Sequence, residues 1–395
     1  MRILIVGAGV AGHTLAHWLR RSGHEPTLVE RAPQPRRGGY LIDFWGAGYR
    51  VAERMGIVPR LEELGCRLEE MRDVSKAGRT IARFDPRRAV DSVEGRYISI
   101  ARSDLARAIF ESLGDGVETI FGDSVRSLED DGGRVHVDFA HGGAREFDLV
   151  IGADGAHSLT RRLVFGADEQ FERFLGITVA AFDVTGYRPR EENIVVTHAE
   201  VGMQALRLAT REDATMFLFT FRSDEQLPHD DARAQQEMLR RRMHGVGWEV
   251  PEMISRMKET RTFYMDRVSQ VRMPTWSRGR VALIGDAAAA PSLLAGQGSA
   301  LAMIEAYTLA TELDRAEGDH LAAFAGYEKR LADFVRSKQD AALRLSMVFA
   351  PRGRFQLVRR NALMKLMGLP FVLDLALNRS LRDRIRLPDG PPRTG

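Results

Sequence analysis

The residues in this chain whose type and spacing suit chemistry gather in three glycine-rich stretches. The first reads Gly7-Ala8-Gly9-Val10-Ala11-Gly12. In such a loop the first glycine makes a tight turn, the second lets a pyrophosphate approach the backbone, and the third lets a helix pack closely on a strand. Each role requires a strand before the loop and a helix after it. Residues 2–6 form an apolar, β-branched run, and Leu15, Trp18 and Leu19 recur at helical spacing with Gly23 as a stop, which predicts a strand and a helix over 11–22. Glu30 ends a second predicted strand, Thr27–Glu30, where its carboxylate can accept hydrogen bonds from an unphosphorylated ribose. The unit therefore predicts dinucleotide binding, and alone it does not separate FAD from NAD.

Two later motifs extend the reading. Gly152-Ala153-Asp154-Gly155-Ala156-His157-Ser158 is followed by Arg161 and Arg162, and Gly285-Asp286-Ala287-Ala288 is followed by Gly296-Gln297-Gly298. Each follows an apolar strand, at 147–151 and 280–284. With these motifs in this order, the chain resembles the class A flavoprotein monooxygenases, which share the para-hydroxybenzoate hydroxylase fold. Within them it resembles the tetracycline-hydroxylating and polyketide-tailoring branch, from the first motif through Arg386-Leu387-Pro388-Asp389.

The resemblance implies roles for individual residues. Gly7, Gly9, Ala11 and Gly12 would surround the FAD pyrophosphate, and Glu30 would hold the adenosine ribose. Arg37 joins the cofactor-binding set, and Arg102 would contact the flavin's phosphate and ribityl region. Asp154 and Gly155 match a motif used for both FAD and the reduced nicotinamide, and Asp286 would bond the ribityl hydroxyls. Gly296, Gln297 and Gly298, with Leu294 beside them, form the expected catalytic set against the isoalloxazine. Backbone amides opening a helix over 298–313 suit the negative charge that a reduced flavin carries near N1 and O2. The chain departs from the family pattern at Ala289, where a histidine is common, and at Leu293, where a proline is.

The implied reaction is a single-component hydroxylation. NADPH or NADH would reduce FAD, O₂ would give a C4a-hydroperoxyflavin, and its distal oxygen would pass to an electron-rich ring. The substrate class is a hydrophobic phenolic or polycyclic molecule, tetracycline-like or polyketide. Two alternatives stand beside it: an FAD-dependent reductase or dehydrogenase on the same fold, and a flavin-binding regulatory protein without turnover. Met216–Phe221 alternates with period two, so one of its faces, Met216/Leu218/Thr220 or Phe217/Phe219/Phe221, can line the pocket. Phe217 and Phe219, with Leu293 and Leu294, are the substrate candidates.

These motifs require an α/β fold: a Rossmann-type FAD-binding domain with an inserted, mostly antiparallel substrate sheet and a C-terminal helical segment. The expected divisions are 1–72, 96–167 and 276–320 for the FAD domain, 73–95 and 168–275 for the substrate domain, and 321–395 for a helical segment bridging them. Ser103-Asp104 is the expected cap of a helix carrying Leu105, Ile109 and Leu113. Among the 395 residues, 57 Lys+Arg stand against 54 Asp+Glu, a balance that argues against a nucleic-acid clamp. Arg240-Arg241-Arg242 and Arg359-Arg360 read as solvated faces. His13 and His17, four residues apart without a third ligand, read as packing or surface residues, so no metal is expected. His157 is either part of its motif's chemistry or a solvent-facing loop residue. The single cysteine, Cys66, excludes an internal disulfide and fits a cytoplasmic setting. The apolar stretch 281–310 is interrupted by Asp286, Pro291 and glycines, so no membrane span is expected. Monomer and homodimer both remain open.

Overall fold

The computed structural model describes residues 1–35, 40–86, 95–210, 213–228, 231–260, 262–369 and 385–390, with backbone alone at 345–347. β1 (Arg2–Val6) leads through the first glycine turn into α1 (Val10–Arg21), and β2 (Glu25–Glu30) returns parallel to β1. Ile3, Leu4 and Ile5 are fully buried, as a parallel strand covered on both faces requires. β3 (Leu41–Trp45), α2 (Gly46–Met55) and α3 (Val58–Leu64) follow. Neither helix carries a side-chain N-cap, though Pro59 stands in the first turn of α3. β4 (Glu70–Val74) and β5 (Thr80–Phe84) then pair within a second sheet, and residue 72 falls inside β4.

β6 (Tyr97–Ala101) pairs antiparallel with β3 and runs directly into α4 (Arg102–Glu111). The N-cap of α4 is Ala101, so Ser103 and Asp104 lie in the first turn and do not cap it. Asp104 still favours the helix there, because its charge faces the positive end of the dipole. β7 (Glu118–Phe121) pairs with β2, while β8 (Val125–Asp130), β9 (Val135–Phe139) and β10 (Arg145–Phe147) make a separate three-stranded sheet. β11 (Leu149–Gly152) pairs parallel with β1. The single strand expected over 147–151 is thus two strands in two sheets. Asp148 sits at the change of direction, where its carboxylate accepts the Arg2 amide at 2.7 Å.

α5 (Leu159–Val164) leads to the second sheet, which contains β12 (Glu172–Thr185), β13 (Ile194–Glu200), β14 (Met203–Ala209) and β15 (Ala214–Arg222). α6 (Ala232–Arg242) and α7 (Val250–Arg256) precede its edge strand β16 (Phe263–Val271). The order is β16-β12-β15-β14-β13-β4-β5, antiparallel except where β13 meets β4. β17 (Ser277–Arg278) and β18 (Val281–Leu283) complete the first sheet, ordered β17-β18-β11-β1-β2-β7. A one-turn α8 (Asp286–Ala289) and the long helices α9 (Gly298–Arg315), α10 (His320–Phe349) and α11 (Arg354–Met367) close the described chain.

Two cores result. One joins β1, α1 and α9 and takes Phe324, Tyr327 and Leu331 from α10. The other packs one face of the second sheet against α6 and α7. α10 reaches beyond the first core, and Phe349 and Ala350 at its far end pack with Ile177, Val179 and Val268 on the other face of that sheet. Part of the helical segment expected over 321–395, residues 370–384 and 391–395, lies outside the described residues. Among the described residues, no helix is long and apolar enough to cross a membrane.

Candidate active site

The first glycine loop has the geometry that its spacing predicts. Gly7 has φ +107°, and a Cβ there would lie 2.5 Å from the Ala153 carbonyl oxygen. At Gly12 a Cβ would lie 2.0 Å from the Gly7 oxygen, so α1 can sit this close to the turn only with glycine. Gly9 differs: nothing lies within 4 Å of the Cβ position. It is also the N-cap of α1, whose first turn carries no acid and no side-chain cap. The helix thus presents free amides to an open space, which fits an anion. Glu30 lies beside it, its carboxylate accepting the Ala8 and Ala32 amides at 3.0 and 2.9 Å. Ala11 is buried and faces the third motif, its Cβ 3.1 Å from where a Gly285 Cβ would sit. Arg37 lies outside the described residues.

The second motif is a structural brace. Asp154 accepts from the Ser158 hydroxyl at 2.5 Å, the Thr160 amide at 2.9 Å and the Thr160 hydroxyl at 3.1 Å, so its carboxylate shapes its own loop. Gly155 has φ +83° with open space at its Cβ position. Arg161 is fully buried and ties the motif to the third one, donating to the Ala156 carbonyl at 2.6 Å and the Ala287 carbonyl at 3.0 Å. Its charge is matched by Asp168 at 2.6 Å, and Arg162 reaches the same carboxylate at 2.8 Å.

In the third motif Gly285 has φ +62° and Asp286 follows at the start of α8. The Asp286 carboxylate lies 4.0 Å from the Arg102 guanidinium, and a Cβ on Gly298 would be 3.7 Å from it. Gly296 has φ +63° with open space around it, and Gln297 is the N-cap of α9 without a side-chain bond. Arg102, Asp286 and the opening of α9 therefore converge, and a second uncapped helix start faces this region. The residues fit a dinucleotide whose central pyrophosphate would meet the start of α1 and one of whose ring ends would meet the start of α9. Glu305 on α9, which the sequence reading missed, lies beneath this turn and accepts the Gly285 amide at 2.5 Å.

The substrate candidates divide between two faces of the second sheet. Phe217 and Phe219 are fully buried against α6 and α7, with Phe182 at ring distances of 5.4 and 5.9 Å, so they belong to the core and line no pocket. Leu218 points to the opposite side of the sheet, in the same cluster as Leu293 and Leu294. The Leu293–Ala295 turn carries these two leucines between α8 and α9, and Leu294 is buried against the sheet.

A polar seam runs beside this apolar contact. Tyr40 and Tyr264 approach to 5.9 Å between ring centres, and the Tyr264 hydroxyl donates to Asp266 at 3.2 Å. His157 closes the seam, with Nε2 3.3 Å from Asp266. Burial pushes the Tyr40 and Tyr264 hydroxyls above their ordinary pKa, and the Tyr40 oxygen, then Asp286, push that of Arg102 higher still. The bond to Asp266 raises the pKa of His157. By contrast His13 and His17 are buried and pushed down to about 4; their Nδ1 atoms bond the Ala106 carbonyl and the Ser112 hydroxyl, as packing residues would.

Comparison with known proteins agrees with this geometry. The family described as FAD binding domain matches residues 1–322. A flavin-dependent monooxygenase of Legionella longbeachae is 34% identical over 355 residues, covering 88% of this chain and 90% of that protein. An uncharacterized protein of Mycobacterium tuberculosis is 38% identical over 339 residues, covering 85% and 91%. The crystal structure of the tetracycline destructase Tet(51) superposes with a TM-score of 0.82 at 31% identity, covering 98% of this chain and 99% of that one.

Proposed function

This chain belongs to the FAD-binding family of class A flavin-dependent monooxygenases, and on that premise we propose that it hydroxylates a hydrophobic phenolic or polycyclic small molecule, tetracycline-like or polyketide. The observation that carries the substrate class is the apolar cluster on this face of the second sheet, to which Leu218, Leu293 and Leu294 all belong. It adjoins the open Gly296–Gly298 loop and has the Tyr40–Tyr264 pair beside it. An apolar wall with a few phenolic hydroxyls suits a flat ring system with polar substituents.

In the proposed reaction NAD(P)H and O₂ are consumed with one proton, one oxygen atom enters the substrate, and the other leaves as water. The bound flavin supplies the redox chemistry. The chain holds the cofactor through the first glycine loop, Glu30, Arg102 and Asp286. The amides opening α9 stabilise negative charge at its pyrimidine end. Leu293, Leu294 and Leu218 exclude water from the reacting ring. The substrate would lie between a domain formed by 1–72, 96–167 and 276–320 and one formed by 73–95 and 168–275, and the single Cys66 suits a cytoplasmic setting.

The test is a screen for substrate-stimulated NADPH and NADH oxidation, followed by product mass under ¹⁸O₂. One labelled atom per product supports hydroxylation. Oxidation of substrate without label would favour a dehydrogenase. Bound FAD that no nicotinamide reduces at a useful rate would favour a binding protein.

A further inference from the structure

Glu305 is a carboxyl group in a place where a charge has no support. It lies on α9, 1% exposed, one helical turn after Ala302, whose Cβ is 3.5 Å from where a Gly285 Cβ would sit. Its Oε2 accepts the Gly285 amide at 2.5 Å and lies 3.3 Å from the Tyr327 hydroxyl. That hydroxyl is shared with the Leu283 carbonyl at 3.2 Å. Oε1 is buried without a hydrogen-bond partner. An ionised carboxylate offers about four acceptor sites, whereas a neutral acid offers one carbonyl oxygen and one O–H. Both contacts fall on Oε2, so the neutral acid leaves a single O–H unpaired at Oε1, whereas an ion would leave a charged Oε1 with no donor at all in a buried site.

We infer that Glu305 is a positioning residue that, in its neutral form, clasps the Gly285 amide and so holds the Gly285–Asp286 turn in the shape that receives FAD. The inference rests on the FAD reading of this site. Gly285 stands at φ +62°, a conformation open to glycine, so the bond to its amide selects one of several accessible shapes of the turn, and Asp286, the next residue, faces Arg102. The titratable groups facing Glu305 are Asp286 on the turn and Tyr327 on α10, and neither brings a positive charge. β18 offers the Leu283 carbonyl, and α1 approaches the same turn with the methyl of Ala11. Burial pushes the Glu305 pKa up to about 8, and Asp286 adds to the rise. Ionisation would set two carboxylates against one turn in a dry interior, which loosens the clasp.

The sign of the pH dependence follows. The native chain keeps a proton that the unfolded chain has released, so this group's stabilising contribution is complete below the unfolded value of 4.5 and is lost as pH rises to about 8. FAD binding, if it selects the neutral form, weakens about tenfold between pH 7 and pH 9. Glu305→Gln reproduces the neutral acid in shape and cannot ionise. The experiment measures FAD dissociation by flavin fluorescence from pH 6 to 9, and the melting temperature of the FAD-free protein over the same range, in wild type and E305Q. E305Q is expected to keep wild-type affinity at pH 6 and to lose the weakening above pH 8, with a flatter melting profile. Parallel pH profiles in the two proteins, a flat wild-type profile, or weak FAD binding by E305Q at pH 6 would each overturn the inference. Failure of wild type to bind FAD at any pH would instead overturn the FAD reading. Glu305→Leu removes the clasp and should weaken FAD at every pH; should it fail to fold, the E305Q comparison decides alone.

Discussion

Gly9 and Gly12 stand three residues apart, and a methyl group would affect them in opposite ways. At Gly12 the new carbon meets the Gly7 carbonyl oxygen at 2.0 Å, so α1 must move away from β1. Gly12→Ala should destabilise the FAD-free protein by about 3 kcal/mol, the scale of overpacking in a tight core. At Gly9 the carbon enters open space at an unstrained φ of −97°. Gly9→Ala should change FAD-free stability by no more than about 1 kcal/mol, the loss of a glycine N-cap. It should also lower FAD affinity by about tenfold or more, since the methyl occupies the space where the pyrophosphate approaches. Urea denaturation of the FAD-free variants and flavin absorbance after reconstitution separate the two outcomes; equal loss of stability in both would remove the distinction between packing and binding glycines. The glycine spacing and Glu30 were legible from sequence because a close backbone approach permits few residue types. Glu305 was not, because one acid on an apolar helix looks the same whether it faces solvent or a buried amide. Asp154 is legible as a motif position, but nothing in the sequence reveals that Ser158 and Thr160 engage its carboxylate.

Helix α11 shows how one ion pair can anchor an element that packing alone holds weakly. Its outward residues Phe355 and Val358 are 74% and 65% exposed, whereas Arg360 on its inner face is buried. Arg360 makes two bonds of 2.9 Å to Asp73 on β4, and Asp73 also accepts the Thr197 hydroxyl at 2.9 Å. Both ions are 1% exposed, so removing one leaves the other uncompensated, which costs about 3–5 kcal/mol. Asp73→Ala should lower stability by that amount and release α11, seen as faster amide exchange over Arg354–Met367. The double change Asp73→Leu with Arg360→Met should recover much of the loss; no recovery would mean that the pair acts through more than charge. At this scale sequence was a fair guide to strands with apolar runs and to long periodic helices. It gave no reading of the short helices α2 and α3, and it merged two strands where one apolar run crosses between sheets at Asp148. Period-two alternation in β15 identified two faces, but only α6 and α7 determine which of them is covered.

At the scale of the molecule, the two sheets meet through an apolar contact and a polar seam, and the seam carries a titratable pair. His157 belongs to the second glycine motif and Asp266 to β16, so the pair joins loop and sheet at 3.3 Å. The bond to Asp266 holds the proton on His157, raising its pKa above the ordinary 6.5. A raised folded-state value means that the pair's stabilisation is fully present below 6.5 and is lost as pH rises through the folded value. The His157 side chain is 48% exposed, so solvent screens the pair and its contribution belongs with surface ion pairs, about 0.2–1 kcal/mol. That is too small to decide folding. The measurement is a proton NMR titration of the His157 imidazole in wild type and Asp266→Asn. The wild-type midpoint should lie above 6.5, and the variant's should fall towards it. Coincident midpoints would show that the seam carries no charge between the two halves, leaving the interface to the apolar cluster around Leu294 and to neutral hydrogen bonds such as that of Gln270 to the Pro291 carbonyl.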